Sequence, residues 1–315
     1  MNLVHDFELK TVPPYSFELT VAKPAGWWWA TPREVYEGRT LWTGVRWEGR
    51  LLGLRIDGLR TLMRPRIRCR VYSRARFDEA MKDAVTSLIR AALRTEEDVR
   101  PFYEMAEGDP IVREVVKDLR GMRILRWPDL FSALILAITL QMAPLVRSQQ
   151  MWGLLMEHYG ENAVFDGRRI RYWPSPKKIS ETSEEELRSV AKLGYRAKNL
   201  KAIAESILGG FPTMEELSRM PSEDARRKLM ELRGVGEYSA DIVGTEGGFS
   251  LDVWSAKIFG VLMTGKEPED PRAAIPVLQR LARERWGRWT GHVFVYVLND
   301  LDKVSERIGF DLTKF

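Results

Sequence analysis

Two hydrophobic periods divide the chain. Up to about residue 75, apolar and polar residues alternate with the period of two that marks half-buried strands. In SFELTVAK, Phe17, Leu19 and Val21 alternate with Glu18 and Thr20 and predict a strand. Further strands are expected around Thr40–Trp47, Leu51–Ile56 and Arg66–Tyr72, with Gly44, Gly49, Gly53 and Gly58 as turns or bulges. In RPRIRCRVYSR, Ile67, Cys69 and Val71 face one way and Arg66, Arg68 and Arg70 the other. That pattern predicts an antiparallel sheet with one wet, basic face, which is either a strip for phosphates or simply a solvated surface.

From Phe77 the period lengthens. Phe77, Met81, Val85, Leu88, Ala92 and Leu93 recur at helical spacing, and Thr95–Asp98 reads as a cap into the next helix. Helices are expected at about 111–120, 129–141, 145–159, 183–192, 196–208, 213–219, 222–232, 238–244, 252–264, 271–286 and 289–299. The expected class is α+β: a small N-terminal antiparallel β domain with helices, residues 1–98, then a large all-helical body, residues 99–315.

Composition narrows the function. The 315 residues are 44% hydrophobic and 10% aromatic, as expected of a folded protein. The net charge of +5 is compatible with nucleic acid without requiring it. Abundant Arg and Glu beside a single cysteine also fit a thermophile. The lone Cys69 excludes an intramolecular disulfide, an iron–sulfur cluster and a multi-cysteine zinc site. The most apolar stretch, Leu130–Leu140, is too short to span a bilayer, and the first ten residues lack a secretory pattern. We therefore expect an intracellular protein, cytoplasmic or nucleoid-associated, with no membrane contact and acting as a monomer.

The chemistry concentrates in LRGVGEYSAD, Leu232–Asp241. A helix over Ser222–Leu232, with Ser222 as its cap, leads into Gly234-Val235-Gly236 and a second helix, so that the helix–hairpin–helix unit covers 222–244. Glycine lets a backbone approach a bulky anion with no Cβ in the way, and the next helix adds its unpaired amides. The same two glycines also fit an ordinary αα-hairpin. Downstream, Asp252 opens an apolar helix, either as a plain N-cap or as a carboxylate held at a cleft mouth.

Taken in order, the helix, L-x-G-V-G-x-x-x-A-D and the following Asp resemble the helix–hairpin–helix DNA glycosylase superfamily. Phe211–Leu217, Leu193–Ala204, Leu134–Pro144 and Arg285–Asp300 are similar to further segments of it, the last to the 3-methyladenine DNA glycosylase II branch. The resemblance implies excision of a damaged base flipped out of double-stranded DNA. It makes Asp252 the catalytic carboxylate, which would stabilise positive charge developing on the sugar. It places Gly234, Val235, Gly236 and Ser239 on the DNA phosphate, Gln141 at the lesion and Met142 as the wedge filling the gap. No cofactor is implied beyond a structural Na+ or K+ on the carbonyls of Met230, Leu232 and Val235.

Tyr238 stands where bifunctional members carry the lysine that forms a Schiff base, and a phenol forms no imine. The resemblance therefore implies a monofunctional enzyme acting on alkylated or deaminated purines, with Tyr238 stacking on the base. Excision of oxidised bases such as 8-oxoguanine, and DNA binding without catalysis, are the alternatives. Trp28 and Trp29, in the run Trp27–Trp29, form either an aromatic wall for the base or packing between domains. Leu298 stands where the 3-methyladenine branch has a second pocket tryptophan. Lys257, five residues beyond Asp252, reads as a surface lysine.

Overall fold

The computed structural model describes every residue except 23–30, 32–33, 60 and 245–247. An antiparallel sheet opens the chain, built from β1 (Asn2–Lys10), β2 (Val35–Glu37), β3 (Thr40–Trp47), β4 (Arg50–Gly58) and β5 (Arg66–Ser73) in the order β1-β5-β4-β3-β2. Its register sets Phe7 and Ile56 on either side of Cys69, and Leu41 beside Ile56. Leu52, Leu54, Ile56, Ile67, Cys69 and Val71 thereby line one face. Helix α2 (Glu79–Ala92) covers that face with Val85, Ile89 and Ala92.

The stretch expected as a strand at residues 16–23 is instead helix α1 (Phe17–Ala22). Its buried residues are Phe17, Thr20 and Val21, the i, i+3, i+4 set of a helix. Ser16 caps it by accepting the Leu19 amide at 3.2 Å, a local bond that the alternation of apolar residues conceals. The missed β1 pairs along the whole of β5.

The second face of the sheet is shared by two kinds of cover. Arg66, Arg68 and Arg70 do lie on it, and all three are paired. Arg68 grips Asp6 with two bonds of 2.9 and 2.7 Å, Arg66 reaches Glu8 at 3.3 Å, and Arg70 reaches Asp57 at 2.9 Å. The expected basic strip is thus an ion-pair ladder, its acids supplied by the neighbouring strands.

A hairpin from the helical part covers the rest of that face. It consists of β6 (Glu161–Phe165) and β7 (Arg168–Tyr172), the exception to an otherwise helical body. Gly44 and Gly53, expected in turns or bulges, are instead mid-strand and directly opposite each other. A Cβ on Gly44 would come within 2.2 Å of the Tyr172 ring, and one on Gly53 within 2.4 Å of Phe165. The two glycines make a flat floor for two aromatic rings. Asp166, in the hairpin turn, then accepts the Trp42 indole N–H at 2.6 Å and pairs with Arg55 at 3.1 Å.

The helical part comprises α3 (Arg100–Glu107), α4 (Val112–Asp118), α5 (Leu130–Leu140), α6 (Leu145–His158), α7 (Pro176–Glu181), α8 (Glu184–Ser189), α9 (Arg196–Leu208), α10 (Met214–Arg219), α11 (Ser222–Met230), α12 (Glu237–Val243), α13 (Val253–Thr264), α14 (Pro271–Trp286), α15 (Thr290–Asn299) and α16 (Leu301–Ile308). Asp129 caps α5 by accepting the Ser132 amide at 2.9 Å, and every residue from Leu130 to Thr139 is buried. Around α5 pack α6, α9 and the α11–α12 pair in one apolar core. A second core joins α3, α4, α13, α14 and α15. No helix among the described residues is long and apolar enough to cross a membrane.

A buried charge cluster ties the N-terminal segment to the last helices. Arg123, its side chain fully enclosed, donates to the Val12 carbonyl at 3.0 Å and the Glu97 carbonyl at 2.9 Å. The Glu97 carboxylate meets Arg94 at 2.8 Å and the ring of His292, on α15, at 3.3 Å. Burial opposes its ionisation, but the His292 bond and the two guanidiniums win and hold its pKa at about 2.

Candidate active site

The hairpin between α11 and α12 is pinned from below and open above. Leu229, Leu232 and Val235 are buried in the core around α5, and the Val235 amide donates to the Leu232 carbonyl at 3.0 Å. Gly234 has a φ of +79°, and a Cβ there would come within 2.2 Å of the Asn199 side-chain amide. Gly236 caps α12 in extended conformation, with nothing within 4 Å of where its Cβ would stand. The two glycines therefore do different work. Gly234 permits the turn and the packing of Asn199, whereas Gly236 leaves the outer surface of the helix start uncovered. Ser222 is the first residue of α11 and not its cap; Pro221 holds the cap position without a side-chain bond.

Gln141 joins this hairpin to the end of α5. Its side-chain amide donates to the Gly234 carbonyl and to the Ser239 hydroxyl, both at 2.7 Å. Ser239 itself is buried. The Gln141 carbonyl in turn accepts from the guanidinium of Arg196, which is buried at the start of α9. Directly after Gln141, Met142 adopts a left-handed backbone, φ +48°, and is 77% exposed. Such a backbone is strained for a residue with a Cβ and here turns the side chain out of the core. Leu145 and Val146, exposed beside it, begin α6.

Asp252 caps α13 and stands at the surface. One carboxylate oxygen accepts the Ser255 amide at 2.8 Å and the Ser255 hydroxyl at 2.7 Å, while the Asp252 amide donates back to that hydroxyl at 2.9 Å. The capping box fixes the carboxylate and leaves its other oxygen outside these bonds. Val253 and Trp254, also exposed, flank it. Tyr238, in the first turn of α12, is partly buried against the core around α5. Burial drives its hydroxyl well above the ordinary phenol range, and the nearby Asp252 carboxylate, which would repel a phenolate, pushes the same way. The phenol stays neutral and the two residues share one neighbourhood.

Lys257 is drawn away from that neighbourhood, paired with Glu267 at 2.8 Å and lying over the Phe315 ring at 5.2 Å. Asp241, one turn along α12 from Tyr238, is raised by burial despite its bond to Arg226 at 2.8 Å. A Cβ on Gly248 would come within 2.6 Å of the Asp241 side chain, so glycine lets the chain pass closely over this pair. Trp28 and Trp29 lie outside the described residues. Leu298 is partly buried against the α13–α15 core, and Trp286 is buried within it. Among the described residues no group of three His, Cys, Asp or Glu side chains is placed to hold a metal ion. The carbonyls of Met230, Leu232 and Val235 are neutral oxygen donors of the kind a hard monovalent cation takes, and Leu232 already spends one lone pair on Val235.

Sequence reasoning missed Arg196 and Asn199. Arg196 carried a signal, a charged residue on the buried stripe of a helix, whereas the contact of Asn199 with Gly234 is purely tertiary.

Comparison with known proteins places this geometry. No family model matches the chain. A DNA-3-methyladenine glycosylase of Bacillus subtilis is 25% identical over 162 residues, which is 51% of this chain and 54% of the relative. The chain thus matches about half the length of that curated protein. A 3-methyladenine DNA-glycosylase from Archaeoglobus fulgidus superposes with a TM-score of 0.71 at 18% identity, over 96% of this chain and 99% of the other. An 8-oxoguanine glycosylase/lyase of Clostridium acetobutylicum gives 0.66 at 16% identity, over 95% and 99%. Both superpositions span the N-terminal sheet and the helical body of this chain. In fold, and in part of its sequence, the chain is similar to helix–hairpin–helix DNA glycosylases.

Proposed function

We propose that the protein is a monofunctional DNA glycosylase of base excision repair that hydrolyses the N-glycosidic bond of an alkylated or deaminated purine flipped out of duplex DNA. The observation that carries this reading is Tyr238 itself, in the first turn of α12 directly after the glycine hairpin and within electrostatic reach of Asp252. A neutral, partly buried phenol occupies the place where, by resemblance, imine chemistry needs an amine, and the Asp252 carboxylate is fixed by its capping box. The tethering of Lys257 to Glu267 supports the same reading, since it holds that amine away from the phenol and the carboxylate.

In this reading the backbone of Gly234–Gly236, with Ser239 behind it, grips a phosphate of the lesion strand without regard to sequence. Met142 fills the space that the flipped nucleotide leaves, and Gln141 ties the wedge to the grip. Tyr238 offers its ring to the base, with Trp28 and Trp29 as the further aromatic wall. The ionised Asp252 stabilises the positive charge that grows on the sugar as the base departs with the bonding electrons. Water completes the substitution at C1′, losing its proton. A purine alkylated at N3 or N7 is cationic before it leaves and departs neutral, so no strong general acid is required. A deaminated purine instead departs as an anion that takes up the proton water loses. Residues 1–98 and 99–315 act as two domains around damaged double-stranded DNA, one copy of the protein per lesion. A Na+ or K+ on the hairpin carbonyls would add positive charge beside the phosphate.

A panel of lesion duplexes scored for base release before and after alkali tests this. Release of alkylated or deaminated purines, with strand breaks only after alkali, is the expected result. Breaks without alkali, or a covalent cross-link after borohydride, would overturn the monofunctional reading, because only an imine is reduced to a stable adduct. A second reading, excision of an oxidised purine, draws on the Clostridium enzyme, which matches nearly as much of the chain as the Archaeoglobus protein does. An 8-oxoguanine duplex in the same panel separates the two.

A further inference from the structure

On either side of the turn that carries the exposed Met142, α5 and α6 are joined by a buried polar trio. Thr139, Ser148 and Trp152 are all fully buried, Thr139 on α5 and the other two on α6. The Thr139 hydroxyl donates back to its own helix, to Ile135 at 2.7 Å or Leu136 at 3.0 Å, and accepts the Trp152 indole N–H at 2.5 Å. The Thr139 carbonyl, which the end of α5 leaves without a helical partner, accepts the Ser148 hydroxyl at 2.9 Å. Both polar groups of one residue are thus claimed by the helix on the far side of the Gln141–Pro144 turn.

The placement matters more than the bonds. Burying a hydroxyl and an indole N–H brings little net stability over apolar packing of the same shape, but it fixes one geometry, because any other leaves a buried group unpaired. Thr139 sits three residues before Met142 and, through Ser148 and Trp152 on α6, fixes how α6 leaves α5. Met142 holds a strained backbone between those two helices, and a strained turn keeps its shape only when its surroundings over-determine it.

We propose that Thr139, through Ser148 and Trp152, is a positioning residue that sets the height and direction of the Met142 wedge and so governs how readily a paired lesion is flipped. This rests on the reading of Met142 as the wedge. A looser wedge should slow base release where unpairing must be driven, and much less where the lesion is already unpaired, since extrusion then costs little.

The test is single-turnover base release from one alkylated purine presented in two ways, fully paired and within an unpaired bubble. Thr139→Val is expected to slow the paired substrate roughly tenfold and the bubble less than about twofold. Thr139→Ser, which keeps the hydroxyl, should restore the paired rate to within about twofold of the wild type. Trp152→Phe, which keeps a ring and removes the donor, should repeat the paired-only defect and decides the matter if Thr139→Val fails to fold. Equal slowing on both substrates, or no slowing on either, overturns the inference while the glycosylase reading stands. A wild type that releases base from neither substrate overturns that reading, and the inference with it.

Discussion

The sheet face that carries Arg66, Arg68 and Arg70 and the hairpin edge at Gly234–Gly236 look, on charge alone, like a DNA surface and an unremarkable turn. The structure spends the cations of the first on neighbouring acids and leaves the backbone of the second uncovered. Each sheet arginine is matched by an acid on an adjacent strand, so the strip presents little net charge to a polyanion. The hairpin edge is formally neutral, yet it leaves backbone uncovered above Gly236 while the side chains around it are anchored below. What distinguishes a surface for phosphate is therefore not the number of cations but whether its donors are already spent.

The largest expected effect breaks the comparison on the hairpin side. Asp252→Asn keeps a capping oxygen but loses the charge, and base release should fall at least about a hundredfold in single-turnover assays. Affinity for lesion duplex should stay within about threefold, because the phosphate grip lies elsewhere. Retained base release would remove Asp252 from the chemistry, and a wild type that releases no base would leave a binding protein. Met142→Ala comes next: base release from a paired lesion should fall roughly tenfold, again with little change in affinity for undamaged duplex.

A third test probes the buried cluster that ties the N-terminal segment to α15. Glu97 is held at about 2 against an ordinary 4.5, so its contribution is fully present above about pH 4.5 and is lost as the pH falls towards 2. Because the carboxylate is enclosed, that contribution is about 3 kcal/mol by linkage. Acid unfolding followed by circular dichroism should show it, and Glu97→Gln should unfold more easily at neutral pH while gaining a flatter profile between pH 4.5 and 2. An unchanged acid transition in Glu97→Gln would remove the cluster from the account of stability. The smallest effect is expected from Arg66→Gln, Arg68→Gln and Arg70→Gln together. DNA affinity should stay within about twofold and the slope of log affinity against log salt should not move. A slope reduced by two or three would make the sheet face part of the DNA surface.

The readable parts of this molecule are those whose signal is local. The apolar run of α5, the paired glycines of the hairpin, and Asp252 opening α13 each lie within a dozen residues. Six residues at 17–22 fit both a period of two and a period of 3.6, and the deciding bond, Ser16 to Leu19, leaves no trace in hydrophobicity. The β6–β7 hairpin was missed although Asp166-Gly167 is a turn signal, because its strands are five residues each. Gly44 and Gly53 could not be understood locally at all, since their reason is a pair of rings more than a hundred residues away. The same holds for Gln141, whose type was legible and whose partners, Gly234 and Ser239, were not.

That glycine floor has a consequence for synthesis. All five strands of the sheet have been made once Ser73 is in place, but the rings that rest on Gly44 and Gly53 arrive only with Phe165 and Tyr172. On a ribosome the interval is on the order of 5–20 s, during which a flat, side-chain-poor patch of β-sheet stands uncovered. The N-terminal sheet is in this sense finished by a hairpin made about a hundred residues later. A fragment ending at residue 98 would carry the vacancy permanently, and one starting at residue 99 would carry two aromatic rings with nowhere to lie.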